Sequence, residues 1–195
     1  MRRGRIKSEM SMRFIFNLRK TISAVAFLAQ REQTLDMFLS IKMLYLADKR
    51  ALQTWGKTIT GDRMVSMPKG PVLSTVYNLF KGEGEEADLE EWNAHFGETV
   101  NNKIRLLKEP DIEALSEDEI DVLDEARAEV EKYAPWDVAD WLHKTCPEWE
   151  DPHGSSRPID PAVILRNSGR SEEEIQMIEE STQTFNQIQR FVSSL

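Results

Sequence analysis

The segment from Asp36 to Trp55, DMFLSIKMLYLADKRALQTW, places charges on the face that a helix would bury. At 3.6 residues per turn, Phe38, Ile41, Leu44, Tyr45, Leu52 and Trp55 gather on one side. Asp48 falls in the middle of that arc, and Lys42 lies within it beside Phe38 and Tyr45. A carboxylate on an apolar stripe needs hydrogen-bond partners, because an uncompensated buried charge costs several kcal/mol or neutralises. Any fold of this chain must therefore bring hydrogen-bond partners to this carboxylate or turn it out of the core. The nearest donors that the residues suggest are at Gly70-Pro71-Val72, where a loop is expected to enter the next helix. Asp48 is expected to accept amide bonds there, with Lys42 or Tyr45 nearby, fixing the two elements against each other.

Helical periodicity continues on both sides of this segment. Thr21 to Arg31 reads as a first helix, and Gly56 suits the left-handed position that ends the second. Lys57 to Met67 suggests extended structure around a turn at Gly61-Asp62. A helix is expected from Pro71 to Lys81, with Pro71 in its first turn, where a missing N–H costs nothing. Trp92 to Phe96 and Lys103 to Leu107 are expected as two antiparallel strands joined by the Gly97–Asn102 turn.

After Pro110, Ser116-Glu117-Asp118-Glu119 has capping-box spacing and opens a helix with Ile120, Leu123, Val130 and Tyr133 inward. Asp137 to Thr145 and Pro161 to Asn167 are expected as short helices. A second capping box at Ser171 opens a final helix with Ile175, Ile178, Phe185, Ile188 and Phe191 as core positions. The fold class is mainly α (α+β), a single helical domain with a small β-hairpin or a two-to-three-stranded antiparallel sheet. Residues 12–195 are expected to form that domain, and residues 1–11 a basic, flexible tail or extended start.

The single Cys146 excludes an internal disulfide and fits a reducing compartment. No apolar run reaches the ~20 residues of a membrane helix. The basic and then apolar N-terminus loosely imitates a signal peptide, but Arg19-Lys20 interrupts it and no small-residue cleavage site follows. A soluble, cytoplasmic protein with no membrane partner is expected.

The net charge of −9 is unevenly placed. Residues 1–20 hold seven Lys/Arg against one Glu, whereas residues 83–131 hold eighteen acids against four bases. An acidic body argues against nucleic acid as a partner, since phosphate contacts need clustered cations. It suits a basic protein partner or a well-solvated face. A DNA-binding role for residues 2–20 ranks below these, since no helix-turn-helix pattern accompanies the arm.

His143, Cys146 and His153 have the residue types of a metal site, with Glu148, Asp151 or His95 as a fourth ligand. No CxxC or HExxH accompanies them, so neither a metal nor any other cofactor is expected. Cys146 beside His143 lacks a glycine-rich turn for an oxyanion hole, and there is no GxSxG, P-loop or GxGxxG. Catalysis is not expected, and a zinc or cysteine hydrolase on these three residues stands as the rival class. Trp136, Trp141 and Trp149 cluster within fourteen residues; Trp149, in a proline-rich acidic loop, is the one expected to be partly exposed and to anchor a partner.

Three runs in order, K42-M-L-Y-L-A-D48, G56-K-T-I-T60 and M67-P-K-G70-P71-V72, resemble the opening signature of the Panacea domain, the SocA-like antitoxin family. L115-S-E-D-E-I-D-V-L resembles a downstream helix of that family, and W141-L-H143-K-T-C-P147-E-W149 its Leu-(Thr/Ser)-His…Pro-Trp segment. Residues 159–178 resemble its C-terminal helix pair, so the likeness runs from about residue 12 to residue 180.

The resemblance implies an antitoxin that neutralises a cognate toxin encoded beside it by direct protein–protein binding. Some members act instead as adaptors that deliver the toxin to a protease complex, and others lie in phages and mobile elements. It makes Lys42, Tyr45, Asp48, Gly70, Pro71, Val72, Trp141, His143 and Trp149 the candidate residues. They form either a structural junction or a groove that holds the toxin.

Overall fold

The computed structural model describes residues 12–30, 32–108 and 112–192; the basic arm at 1–11 and Pro110 lie outside them. α1 (Leu18–Ala29) starts at Asn17, whose side chain accepts from the Lys20 amide, and every residue from Thr21 to Ala29 is buried. β1 (Thr34–Asp36) leads directly into α2 (Met37–Trp55). Asp36 caps α2 by accepting from the Leu39 amide at 3.0 Å, and the helix ends at Gly56 in the left-handed conformation, as expected.

β2 (Met64–Met67) and β3 (Gly70–Leu73) form a hairpin that hands over to α3 (Ser74–Phe80) and α4 (Glu86–Asn93). β4 (Lys103–Arg105) and a short 3-10 turn at Ile112–Ala114 precede α5 (Glu117–Val130). α6 (Val138–Thr145), β5 (Arg157–Pro158), α7 (Pro161–Asn167) and α8 (Glu172–Val192) complete the described chain. β1 pairs antiparallel with β4, and the second sheet runs β3-β2-β5, also antiparallel. The fold is mainly α with small antiparallel sheets, as expected.

α2 lies at the centre, packed against α5, β3 and α7. Tyr45, Leu44 and Leu52 from α2 join Phe80, Leu123 and Leu142 in one continuous apolar core. Trp92 fills one end, edge-on to Phe80 at 5.2 Å and tilted against Phe96 at 4.4 Å. The Ser116 capping box is formed in full: Glu119 N donates to Ser116 Oγ, and Ser116 N donates to Glu119 Oε2.

Four elements differ from expectation. Pro71 does not open a helix; it lies in β3, opposite Ser66, and α3 starts three residues later. β3 is the edge of its sheet, where a residue without an N–H is tolerated. Trp92 belongs to α4, so only an isolated bridge between Phe96 and Leu106 remains of the expected strand pair. The true partner of β4 is β1. In α8, Ile175 is buried and Ile178 packs on the core, but Phe185, Ile188 and Phe191 are exposed. α5 likewise ends at Val130, before Tyr133.

Candidate functional site

α2 presents Lys42, Tyr45, Asp48 and Lys49 on successive turns, and together they reach three separate parts of the chain. Lys42 is 1% exposed and donates to the Pro71 carbonyl at 2.9 Å, with its ammonium 5.3 Å from the centre of the Phe38 ring. Burial pushes its pKa down to about 7. The Tyr45 hydroxyl donates to Glu148 Oε1 at 2.5 Å, and Lys49 pairs with the same oxygen at 2.8 Å. Burial raises Tyr45 well above the usual phenol range, and the neighbouring Glu148 charge adds to it.

Gly70 holds φ at +94°, a conformation that a residue with a side chain rarely adopts, while a Cβ there would make only ordinary contacts, 3.4 Å from Lys42 Nζ and 3.6 Å from Leu142 Cβ. The loop after α6 closes the arrangement. Trp149 donates through Nε1 to the Met67 carbonyl at 2.9 Å, and its ring stacks on His143 at 3.8 Å with an interplanar angle of 18°. Burial lowers the His143 pKa, and the Lys42 charge lowers it further, against the charges of Asp140 and Asp151 and a bond to the Pro68 carbonyl. The β2–β3 hairpin is thus clasped between α2 and the 143–149 segment.

Asp48 does not bond Gly70-Pro71-Val72. It is fully buried one turn further along α2 and accepts from the Ile59 amide at 2.8 Å, the Thr60 amide at 3.0 Å and the Thr60 hydroxyl. The loop after Gly56 turns back over the helix and reaches the carboxylate before the hairpin does. Burial raises Asp48 to about 7, because loss of hydration outweighs the three donors.

Thr60 continues the chain of bonds by accepting from the Asp62 amide at 3.1 Å. Asp62 then accepts from Val76 N at 2.8 Å. It caps α3 from a distance, since Leu73 at the cap position has no side-chain acceptor. Gly61 sits between them at φ +70°, and a Cβ there would fall 1.9 Å from the Ile15 carbonyl oxygen.

Lys42, Tyr45, Gly70, Pro71, Val72, His143 and Trp149 therefore meet at the hairpin, while Asp48 organises a separate loop. Trp141 stacks on Tyr133 at 4.7 Å, on the outer side of α6. Trp136, at 78%, is the exposed tryptophan; Trp149 is half-buried by its bond to Met67. The roles of Glu148, Lys49, Thr60 and Asp62 escaped sequence reasoning, which named Glu148 only as a possible metal ligand and Asp62 only as a turn residue. Only the absence of a capping residue at Leu73 hinted that α3 needed an acceptor from elsewhere.

The rival hydrolase residues do not converge. Cys146 is buried 3.6 Å from Lys49 Nζ, and burial pushes its thiol up to about 11, away from the reactive thiolate. The His153 side chain is 89% exposed beside Asp151, and His95 lies at the end of α4, where it bonds the Glu91 carbonyl. Among the described residues no group of three or more His, Cys, Asp or Glu side chains is placed to hold a metal ion. No helix among them is long and apolar enough to cross a membrane.

The family model described as antitoxin SocA-like, Panacea domain, matches residues 41–150. The chain belongs to this family. Its Panacea match begins inside α2 and ends just past Trp149, so it contains the whole hairpin clasp and the Asp48–Asp62 loop. α1, α7 and α8 lie outside it, including the 159–178 stretch whose likeness was read in the sequence. No curated protein and no solved structure matches the chain.

Proposed function

We propose that this Panacea domain is an antitoxin that neutralises a cognate toxin by direct protein–protein binding in the cytoplasm, with residues 12–195 acting as one recognition domain. Family membership carries the reading: the match spans Lys42, Tyr45 and Asp48 together with the partners of their hydrogen bonds. Lys42, Tyr45 and Asp48 spend their hydrogen bonds inside the protein, on Pro71, Glu148, Ile59 and Thr60. In this proposal they fix the shape of the molecule, and the toxin meets the outer surface that they hold in place.

The test is genetic. The neighbouring open reading frame is expressed alone and together with this chain. Growth arrest that co-expression relieves is the expected result. A harmless neighbour, or arrest that this protein leaves untouched, refutes the assignment.

A further inference from the structure

α8 carries two apolar stripes. The inner one, Ile175, Ile178 and Thr182, packs toward α7 and the end of α2. The outer one is Met177, Phe185, Ile188, Phe191 and Val192, which are 57–69% exposed. At 100° per residue these five fall within an arc of about 120°, the width of a packing face. Beside them runs a groove of about 540 Å³ walled by Ile15, Trp55, Met177, Ile178 and Phe185. Contiguous apolar surface of this kind on a soluble domain marks an interaction site.

We propose that this face is an interface with a second copy of the chain, in which two α8 helices pack antiparallel about a two-fold axis. The inference stands independently of the antitoxin reading. Charge selects the occupant and the direction. A chain of net charge −9 repels its own copy over most of its surface, but residues 181–192 hold no acid and one base, Arg190. The acids of α8, Glu172, Glu173, Glu174, Glu179 and Glu180, all lie in its first half. Antiparallel packing sets the Arg190 end of each helix beside the acidic end of the other and opposes the two helix dipoles; parallel packing would set acid against acid.

Shape agrees with charge. The groove runs along α8 from Met177 to Gln189, beside the exposed stripe, so one face offers both ridge and groove, as a self-complementary two-fold interface requires. At these exposures the five side chains offer about 100 Å² each, or about 1,000 Å² over both copies before the groove walls are counted, which reaches the size of a specific interface.

Sedimentation velocity on the full chain across the micromolar range is expected to show a dimer. Ile188→Glu and Phe185→Glu are expected to give monomers with unchanged circular dichroism. As a check that needs no destabilising change, Met177→Cys and Val192→Cys copies are mixed and oxidised. The mixture is expected to cross-link more strongly than either variant alone, and native Cys146, 1% exposed, stays silent. A monomeric wild-type chain overturns the proposal, as does a dimer that Ile188→Glu leaves intact or cross-linking no stronger in the mixture. A monomer whose α8 face binds the product of the neighbouring gene overturns it equally.

Discussion

The Tyr45 hydroxyl donates to Glu148 Oε1 at 2.5 Å, joining the middle of α2 to a loop 103 residues further along the chain. Lys49, one turn on, pairs with the same oxygen. With Lys42 on Pro71 and Trp149 on Met67, this contact clasps the β2–β3 hairpin from both sides. Tyr45→Phe removes the donor and leaves Glu148 buried with Lys49 as its remaining partner. The expected cost is about 1–3 kcal/mol, read as a lower urea midpoint with an unchanged m-value. An unchanged midpoint would show that the contact contributes nothing.

Asp48 is the more severe case. Asp48→Ala strands the Ile59 and Thr60 amides in the core, and the expected loss is about 3–5 kcal/mol. Asp48→Asn keeps a carbonyl oxygen for the two amides and is expected to recover part of it. Chemical denaturation of both variants checks this order. An Asp48→Ala protein that is equally stable and yet fails to bind a toxin would move Asp48 from architecture to recognition.

Two buried groups give stability opposite slopes with pH. Asp48 holds its proton up to about 7 in the folded chain but releases it near 3.8 when unfolded. Its contribution is full below 3.8 and is lost as pH rises through about 7. Lys42 is lowered to about 7 from 10.5, so its contribution is full above 10.5 and is lost as pH falls through about 7. Unfolding free energy is expected to dip near neutrality on account of these two groups. Asp48→Asn should flatten the acid limb and Lys42→Met the alkaline limb in a denaturation series across pH. Parallel profiles for wild type and variants would contradict both assignments.

Gly61 holds the N-terminal segment against the Asp48 loop. Asn17 N donates to the Thr60 carbonyl at 2.8 Å, and a Cβ on Gly61 would collide with the Ile15 carbonyl oxygen. Gly61→Ala is expected to detach residues 13–17 and to strain a φ of +70°. Faster tryptic cleavage at Arg13 and Arg19 than in wild type is the readout. Cleavage at the wild-type rate would mean that the segment is held elsewhere.

Elements with local signals were legible in the residues alone. α2, its Gly56 end, the Ser116 capping box and the Pro161–Asn167 helix each depend on neighbours within a turn or two. Pro71 was not legible, because a proline suits a helix's first turn and an edge strand equally well. The outer face of α8 misled for a related reason: apolar periodicity is the same whether a stripe meets a core or faces solvent. The polar partners were the hardest to read. That Asp48 needed donors followed from its helix, but the choice of Ile59 and Thr60 over Gly70-Pro71-Val72 depends on how the chain turns after Gly56. Nothing near Glu148 in the sequence points to Tyr45.

Calorimetric titration of the purified full chain with the purified product of the neighbouring gene tests the central claim most directly. The account predicts saturable binding in an integer ratio, with loss of the partner's toxic activity at the same equivalence point. No heat of binding, together with toxic activity undiminished at excess protein, would contradict it.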